Sequence, residues 1–322
     1  MKKTIAALTI LAAMMLSLNG CGTARPAGGE APTAEPQVTA DTQTPAENEG
    51  QAAPSGTGRQ DGERFEAVII LEGMEEPVQY EHIINKAAGF EMDFEYENLV
   101  RCGEAERERF ISIWDDPDKP ENYLEVTYSA ADAETVAASV SALLSQKYDL
   151  LTATRTLESA GECVRIEASV IKGTNRMADQ LQAVYIIPAA DGCRVATAHY
   201  SAESAEGFAK RFAYMLNTLS LIDGNGGRPL SDGQALSAIR NYCLIGNPEL
   251  GSETAGEYPV YWEVSSSTDS EIVVVFRSYT GSINRYYIDP VSGKTYVTEY
   301  VPGIIEDEQR TDESLNAWDY AF

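Results

Sequence analysis

From Phe65 onward the chain alternates apolar and polar residues in short runs, the period-two signature of strands that bury one face. Such runs occupy 65–71, 90–94, 110–114, 123–128, 163–170, 181–187 and 193–200. Turn-forming stretches separate the later ones, among them Ser159-Ala160-Gly161-Glu162 and Pro188-Ala189-Ala190-Asp191-Gly192. Two segments change period. Residues 133–146 place Val136, Val140, Leu143 and Leu144 on one helical face, and residues 205–219 do the same with Phe208, Phe212, Met215, Leu216 and Leu219. Ser201 and Ser204 precede the second helix as available caps. Strands, a helix, an antiparallel meander and a closing helix predict an α+β fold, an antiparallel sheet sandwiched by helices.

The cluster Asp223-Gly224-Asn225-Gly226-Gly227-Arg228-Pro229 breaks both patterns. It separates a first piece at 65–222 from a second at 229–322. In the second, Ser231 and Gln234 have the spacing of a capping box before a helix running to about Cys243. Ala235, Ile239 and Tyr242 form its inner face. Strand-like runs follow at 260–265, 271–278, 283–288 and 295–301, with turn signals at Thr280-Gly281 and Ser292-Gly293. The expectation is a small helix-plus-antiparallel-meander domain.

The first residues follow another rule. Lys2 and Lys3 precede an apolar run from Ile5 to Leu18, the layout of an export leader over residues 1–20. The run is too short to span a bilayer, which takes roughly 20 apolar residues. Leu18-Asn19-Gly20-Cys21 resembles the lipobox of bacterial lipoproteins, with Asn19 departing from the usual small residue. The resemblance implies cleavage before Cys21 and a diacylglyceryl group on its sulfur. Two acyl chains give stable anchoring without a second membrane signal. This places the protein on the extracytoplasmic side of a bacterial cell membrane. Residues 21–64 then read as the lipidated cysteine and a disordered tether, because the stretch after Cys21 holds Pro26, Pro32, Pro36, Pro45 and Pro54 and only Val38 as a large apolar residue. A coil of about 43 residues has an r.m.s. reach of about 36 Å.

Charge gives that reach a purpose. The formal net charge is -26, and loss of Lys2 and Lys3 makes the mature chain more negative still. Anionic lipid repels such a body over a Debye length of about 8 Å, and the tether exceeds that several times. The balance excludes nucleic acid as a partner, since that requires clustered Lys and Arg. It is compatible with solubility alone or with a cationic partner.

Two resemblances concern the folded pieces. Gly89-Phe90-Glu91-Met92, Asn122-Tyr123-Leu124-Glu125-Val126 and the closing helix Phe212-Ala213-Tyr214-Met215-Leu216-Asn217-Thr218-Leu219 are similar in order to the PsbP-like fold. That likeness implies a non-catalytic binding or assembly role. Tyr287-Ile288-Asp289-Pro290-Val291-Ser292-Gly293-Lys294 resembles the hairpin of PepSY-like and cystatin-like envelope modules. That likeness implies regulation or inhibition of an envelope protease. A plain hairpin with good turn chemistry explains the same residues.

No catalytic set is assigned. The two histidines, His82 and His199, lie far apart, and no HExxH, GxSxG or P-loop pattern accompanies them. Both read as ordinary surface or sheet residues. An unrecognised hydrolase remains the remotest of the three functional readings. No cofactor or metal is expected either. Asp115, Asp116 and Asp118 are dense enough for a calcium loop but lack its glycine and distal glutamate, so a solvated turn is expected. Cys102, Cys163, Cys193 and Cys243 lack zinc spacing. Export permits disulfides. In the predicted meander Cys163 and Cys193 are two strand spacings apart, about 9–10 Å, whereas a disulfide needs Cα atoms within about 7 Å. The acidic, aromatic tail from Asp312 to Phe322 either docks a partner or packs back on the second piece through Trp318 and Phe322. The functional expectation is a lipid-anchored, non-catalytic binding module with a protein or small-ligand partner in the envelope, or else the protease regulator.

Overall fold

The structure, a computed structural model, describes residues 58–71, 73–104, 107–222, 229–251 and 260–322. Cys21 and nearly all of the leader and tether lie outside them. Among the described residues no helix is long and apolar enough to cross a membrane.

In chain order the first part holds β1 (Arg64–Leu71), β2 (Met74–Asn85), β3 (Phe90–Glu95), β4 (Leu99–Glu104), β5 (Arg107–Ser112) and β6 (Tyr123–Ser129). Then come α1 (Ala133–Leu144), β7 (Tyr148–Leu157), β8 (Gly161–Ile171), β9 (Met177–Ala189), β10 (Gly192–Ser201), α2 (Ala205–Thr218) and β11 (Ser220–Leu221). The second part holds α3 (Asp232–Gly246), β12 (Tyr261–Ser267), β13 (Ile272–Arg277), β14 (Ile283–Ile288), β15 (Lys294–Tyr300) and β16 (Gln309–Asn316). Short 3-10 turns cover Pro248–Gly251 and Ala317–Tyr320.

The fold is α+β with antiparallel sheets. The first part builds two of them, a four-stranded sheet in the order β1-β2-β3-β11 and a seven-stranded one in the order β4-β5-β6-β10-β9-β8-β7. This corrects the expectation of one sheet between helices. The sheets face each other across a core in which Phe90, Met92 and Phe94 meet Phe110, Leu124 and Val126. Helix α2 closes that core with Phe212, Met215 and Leu216. Helix α1 covers the opposite face of the large sheet, where Val136 and Val140 meet Ile166, Val184, Ile186 and Val195. A five-stranded meander, β12-β13-β14-β15-β16, carries α3 on one face.

The strands missed by alternation fall into two groups. β4, β7 and β16 are sheet edges, where polar and charged residues replace the regular pattern. In β7 the residues Leu151, Thr152, Ala153 and Thr154 are all exposed. β2 opens with Glu75, Glu76 and Pro77, where it pairs with β1 and overhangs β3. A proline is tolerated there because one side of the strand is open.

Folded backbone also begins before Arg64. The Gly62 N–H donates to the His82 carbonyl at 2.8 Å, the His82 N–H donates to the Glu63 carbonyl at 2.8 Å, and Asp61 accepts the Ile84 N–H at 2.9 Å. The last residues assigned to the tether are therefore pinned along β2.

The helix caps follow from local chemistry. Asp132 caps α1 by accepting from Thr135 N–H. Ser231 and Gln234 form the full reciprocal capping box of α3. Ser204 stands at the N-cap of α2 without capping through its side chain. Its hydroxyl instead donates to Asn122 Oδ1 at 2.5 Å, tying the helix start to the residue that precedes β6.

One buried cation joins these parts. Arg194 in β10 is 1% exposed. Its guanidinium bonds Asp191 at 2.9 and 3.1 Å and lies 4.8 Å from the centre of the Tyr128 ring. Gly89, at φ 73°, lies directly against it, so that an added Cβ would come 2.1 Å from Arg194 Nη2. The expected consequence is measurable. Gly161→Ala, at φ 83° with open space around it, should cost about 1–3 kcal/mol in backbone strain. Gly89→Ala should cost at least about 1 kcal/mol more, since the neighbour is a pinned guanidinium and overpacking adds to strain. Urea midpoints at constant m-value check this, and equal losses would contradict the close contact.

Candidate ligand cavity

The first half of α3 lies close on the meander because Ala235 and Ala238 are small and fully buried, with Ile239 beside them on Val274 and Ile288. Its last turn differs. Tyr242 is bulky, and Gly246 has no side chain, with nothing within 4 Å of an added Cβ. A cavity of about 540 Å³ opens there, bounded by the β13–β14 turn and by Tyr320 from the chain end. That volume suits a small organic ligand, for which sites of roughly 300–1,000 Å³ are usual.

Aromatic rings build its walls. Tyr242 meets Tyr286 edge-on at 6.3 Å and Tyr320 edge-on at 5.3 Å, while Phe276 and Tyr279 complete the lining. The Tyr286 hydroxyl lies 3.4 Å from Cys243 Sγ, and Glu313 shares the lining with Tyr242. Burial raises the hydroxyls of Tyr242 and Tyr286 well above the ordinary 10.0. Both therefore stay neutral at physiological pH. Glu299, paired with Asn284 across β14 and β15, reaches the cavity and accepts from the Ser282 hydroxyl at 3.3 Å. Among the described residues no Lys, Arg or His lines the space.

The tail forms part of this wall. Asn241 on α3 donates to the carbonyls of Tyr320 at 3.0 Å and Phe322 at 2.9 Å. Trp318 is 3% exposed, stacks edge-on against Tyr128 at 5.4 Å and donates to the Val291 carbonyl at 3.2 Å. The tail thus packs against the first part as well as the second.

A second hollow, of about 500 Å³, is a shallow dish formed by Asn85, Arg101, Cys102 and Glu108. Its carboxylate is already engaged, since Glu108 accepts two bonds from Arg101 at 2.9 Å and one from Asn85 at 3.0 Å. This leaves the α3 cavity as the better candidate.

His82 is not the ordinary sheet histidine expected. It is buried, with Nδ1 2.7 Å from Asp93 Oδ1 and Nε2 3.8 Å from Glu91. Arg59 closes the group by reaching Asp93 at 3.3 Å and lying 3.7 Å over the Phe65 ring. Its partners are distant in sequence, so only strand register could have revealed them. Nε2 is buried with no hydrogen-bond partner, which keeps it from reaching a substrate in solvent. The cluster braces the start of the folded body. His199 stacks on Tyr123 at 4.9 Å, and its Nδ1 lies 2.9 Å from the Glu121 carbonyl. Burial holds its pKa below the ordinary 6.5.

The acidic loop serves itself. Asp115 accepts from the N–H groups of Glu121 and Asn122 at 2.8 and 2.5 Å. Among the described residues no group of three or more His, Cys, Asp or Glu side chains could hold a metal ion.

Comparison with known proteins adds little. The sequence matches no family model and no curated protein. A crystal structure of a protein from Bacteroides thetaiotaomicron VPI-5482, at 1.50 Å resolution, is 9% identical and covers 73% of this chain and 88% of its own. Its TM-score is 0.27, too low a likeness to carry an argument.

Cys102, Cys163, Cys193 and Cys243 are free thiols. Cys163 and Cys193 lie in β8 and β10 with β9 between them. They also face opposite sides of the sheet, toward the inter-sheet core and toward α1 respectively. Burial pushes Cys163 up to about 11 and Cys193 up to about 12. Cys102 is exposed, with a pKa raised above the ordinary 9.0 mainly by partial desolvation. Thiol labelling of a Cys21→Ser protein should therefore show one native-state site, Cys102. Its rate should rise about tenfold per pH unit through pH 7–9, following the thiolate fraction. Cys163, Cys193 and Cys243 should label only on unfolding. Mass mapping of labelled peptides checks both points, and native labelling of Cys163 or Cys193 would contradict the packing.

Proposed function

We propose that this chain is a lipid-anchored, extracytoplasmic binding lipoprotein that captures a small ligand under the last turn of α3. The observation that carries the reading is the aromatic cavity of about 540 Å³ with its inward carboxylates. The export leader, Leu18-Asn19-Gly20-Cys21 and the long tether support the location. The antiparallel α+β architecture is compatible with a PsbP-like first part and a PepSY-like second part, and both likenesses point to binding rather than turnover.

Protease regulation is the weaker reading of residues 229–322. The hairpin on which it rests is engaged internally. Asp289 accepts from the N–H groups of Val291 and Ser292, and an added Cβ at Gly293 would lie 2.1 Å from Asn316 Oδ1. These contacts explain the motif as a turn that seats the chain end.

Two measurements test the proposal. Labelled palmitate should enter the parent protein in growing cells and fail to enter Cys21→Ala, whereas equal incorporation would remove the anchor. Native mass spectrometry of protein taken gently from its host should show a bound small molecule. Gly246→Trp, which fills open space at the cavity wall, should lose that adduct. An adduct unaffected by Gly246→Trp would place binding elsewhere.

A further inference from the structure

The cavity has a chemical bias beyond its size. Five rings, those of Tyr242, Phe276, Tyr279, Tyr286 and Tyr320, line it with Glu299 and Glu313, and among the described residues no basic side chain does. Glu299 accepts a hydrogen bond from the neutral hydroxyl of Ser282, and Glu313 lines the cavity together with Tyr242. Among the described residues neither carboxylate is ion-paired with a Lys or Arg. The contrast with the rest of the chain is plain. Glu108, Glu125, Glu95 and Glu308 each have an arginine partner.

We propose that the cavity selects a small organic cation, an amine or quaternary ammonium on an apolar stem. This rests on the binding reading and names its ligand class. Aromatic faces attract cations through the ring quadrupole, and weakly hydrated organic cations benefit most. The carboxylates supply the opposite charge inside a partly desolvated space, where attraction is stronger than in bulk water. A small metal ion fits worse. It is strongly hydrated and needs a converging set of oxygen ligands, whereas two carboxylates among phenyl and phenol rings supply few. An anion meets two like charges and no donor of positive charge.

The test uses the full lipidated chain in detergent with three probes of similar size: benzyltrimethylammonium, benzyl alcohol and phenylacetate. Binding is measured by saturation-transfer NMR and isothermal titration in 0.15 M and 0.3 M sodium chloride. The cation should bind at least tenfold more tightly than the alcohol at both salt concentrations, and phenylacetate should bind weakest. Glu299→Gln with Glu313→Gln should remove most of that preference while benzyl alcohol binding is kept. Glu306→Gln with Asp307→Asn changes charge equally at exposed positions and should leave the preference intact. Gly246→Trp should abolish binding of every probe, with thermal unfolding confirming that each variant is folded.

Outcomes separate the two claims. If the alcohol binds as well as the cation and Gly246→Trp stops both, the cavity binds ligands but the cation preference is overturned. If the exposed pair removes the preference, or if 0.3 M salt does, it is a surface effect of the acidic body and the inference fails. If no probe binds, the binding reading falls and the cation preference with it.

Discussion

The arrangement of the folded body depends on a charge placed where water cannot reach it. Arg194 is enclosed by the turn at Gly89, the carboxylate of Asp191 and the face of Tyr128. Tyr128 continues the contact, for its ring meets Trp318 and its carbonyl accepts from Gln234 of α3 at 2.8 Å. The small sheet, the large sheet and the second part therefore meet around one guanidinium. Removing a charge of this kind from water costs several kcal/mol, which a well-made pair offsets but does not greatly exceed. Its effect is on specificity. Asp191 precedes Arg194 by three residues in the same hairpin, so the pair forms locally and neutralises the buried charge in place. The fit across elements comes from the bare face of Gly89 and the ring of Tyr128 on the guanidinium, a close contact that tolerates less sliding than apolar packing alone.

How much of this was legible in the sequence varied with the kind of interaction. Strands buried on one face were readable because burial imposes alternation, as in β15, where Thr295 and Val297 are buried between more exposed neighbours. The edge strands β1 and β12 kept enough apolar residues to be read, whereas β4, β7 and β16, where solvent on one side removes the constraint, did not. β16 is the clearest case. Its sequence, Gln309 to Asn316, reads as a charged tail, yet it pairs with β15 and turns Thr311, Glu313 and Leu315 inward. Local chemistry was readable wherever both partners lie within a turn, as with the capping box of Ser231 and Gln234. Ser204 was misread because its partner, Asn122, is 82 residues away.

The candidate cavity sits at the limit of that reading. Tyr242 was placeable on the inner face of α3 by periodicity alone. Glu299 and Glu313 were not, since fifty acidic residues leave no basis for choosing two. Register selects them. Glu299 stands opposite Asn284, and a register shift in β15 between Tyr296 and Thr298 resets the alignment of β16 beside it. Gly246 gave no signal either, because its contribution is the space it leaves empty. The same limit explains His82, whose bond to Asp93 follows from the pairing of β2 with β3.

The charge of the body bears on the proposed ligand as well. With a formal net charge of -26 for the whole chain, it concentrates every cation within a Debye length of about 8 Å of its own surface. Attraction alone then discriminates poorly, since sodium and potassium are the most abundant cations drawn there. A site formed only of carboxylates would be saturated by them. Aromatic walls change the balance, because an ion entering them must give up water that rings replace badly. Stripping a compact ion without a full set of oxygens costs far more than it gains. A quaternary ammonium surrenders little hydration and gains contact with every ring. Tyr242, Tyr286 and Tyr320 therefore supply the selectivity, and Glu299 and Glu313 supply the attraction. Neither set is sufficient alone, which is why the geometry of α3 against the meander matters more than the acidity of the chain.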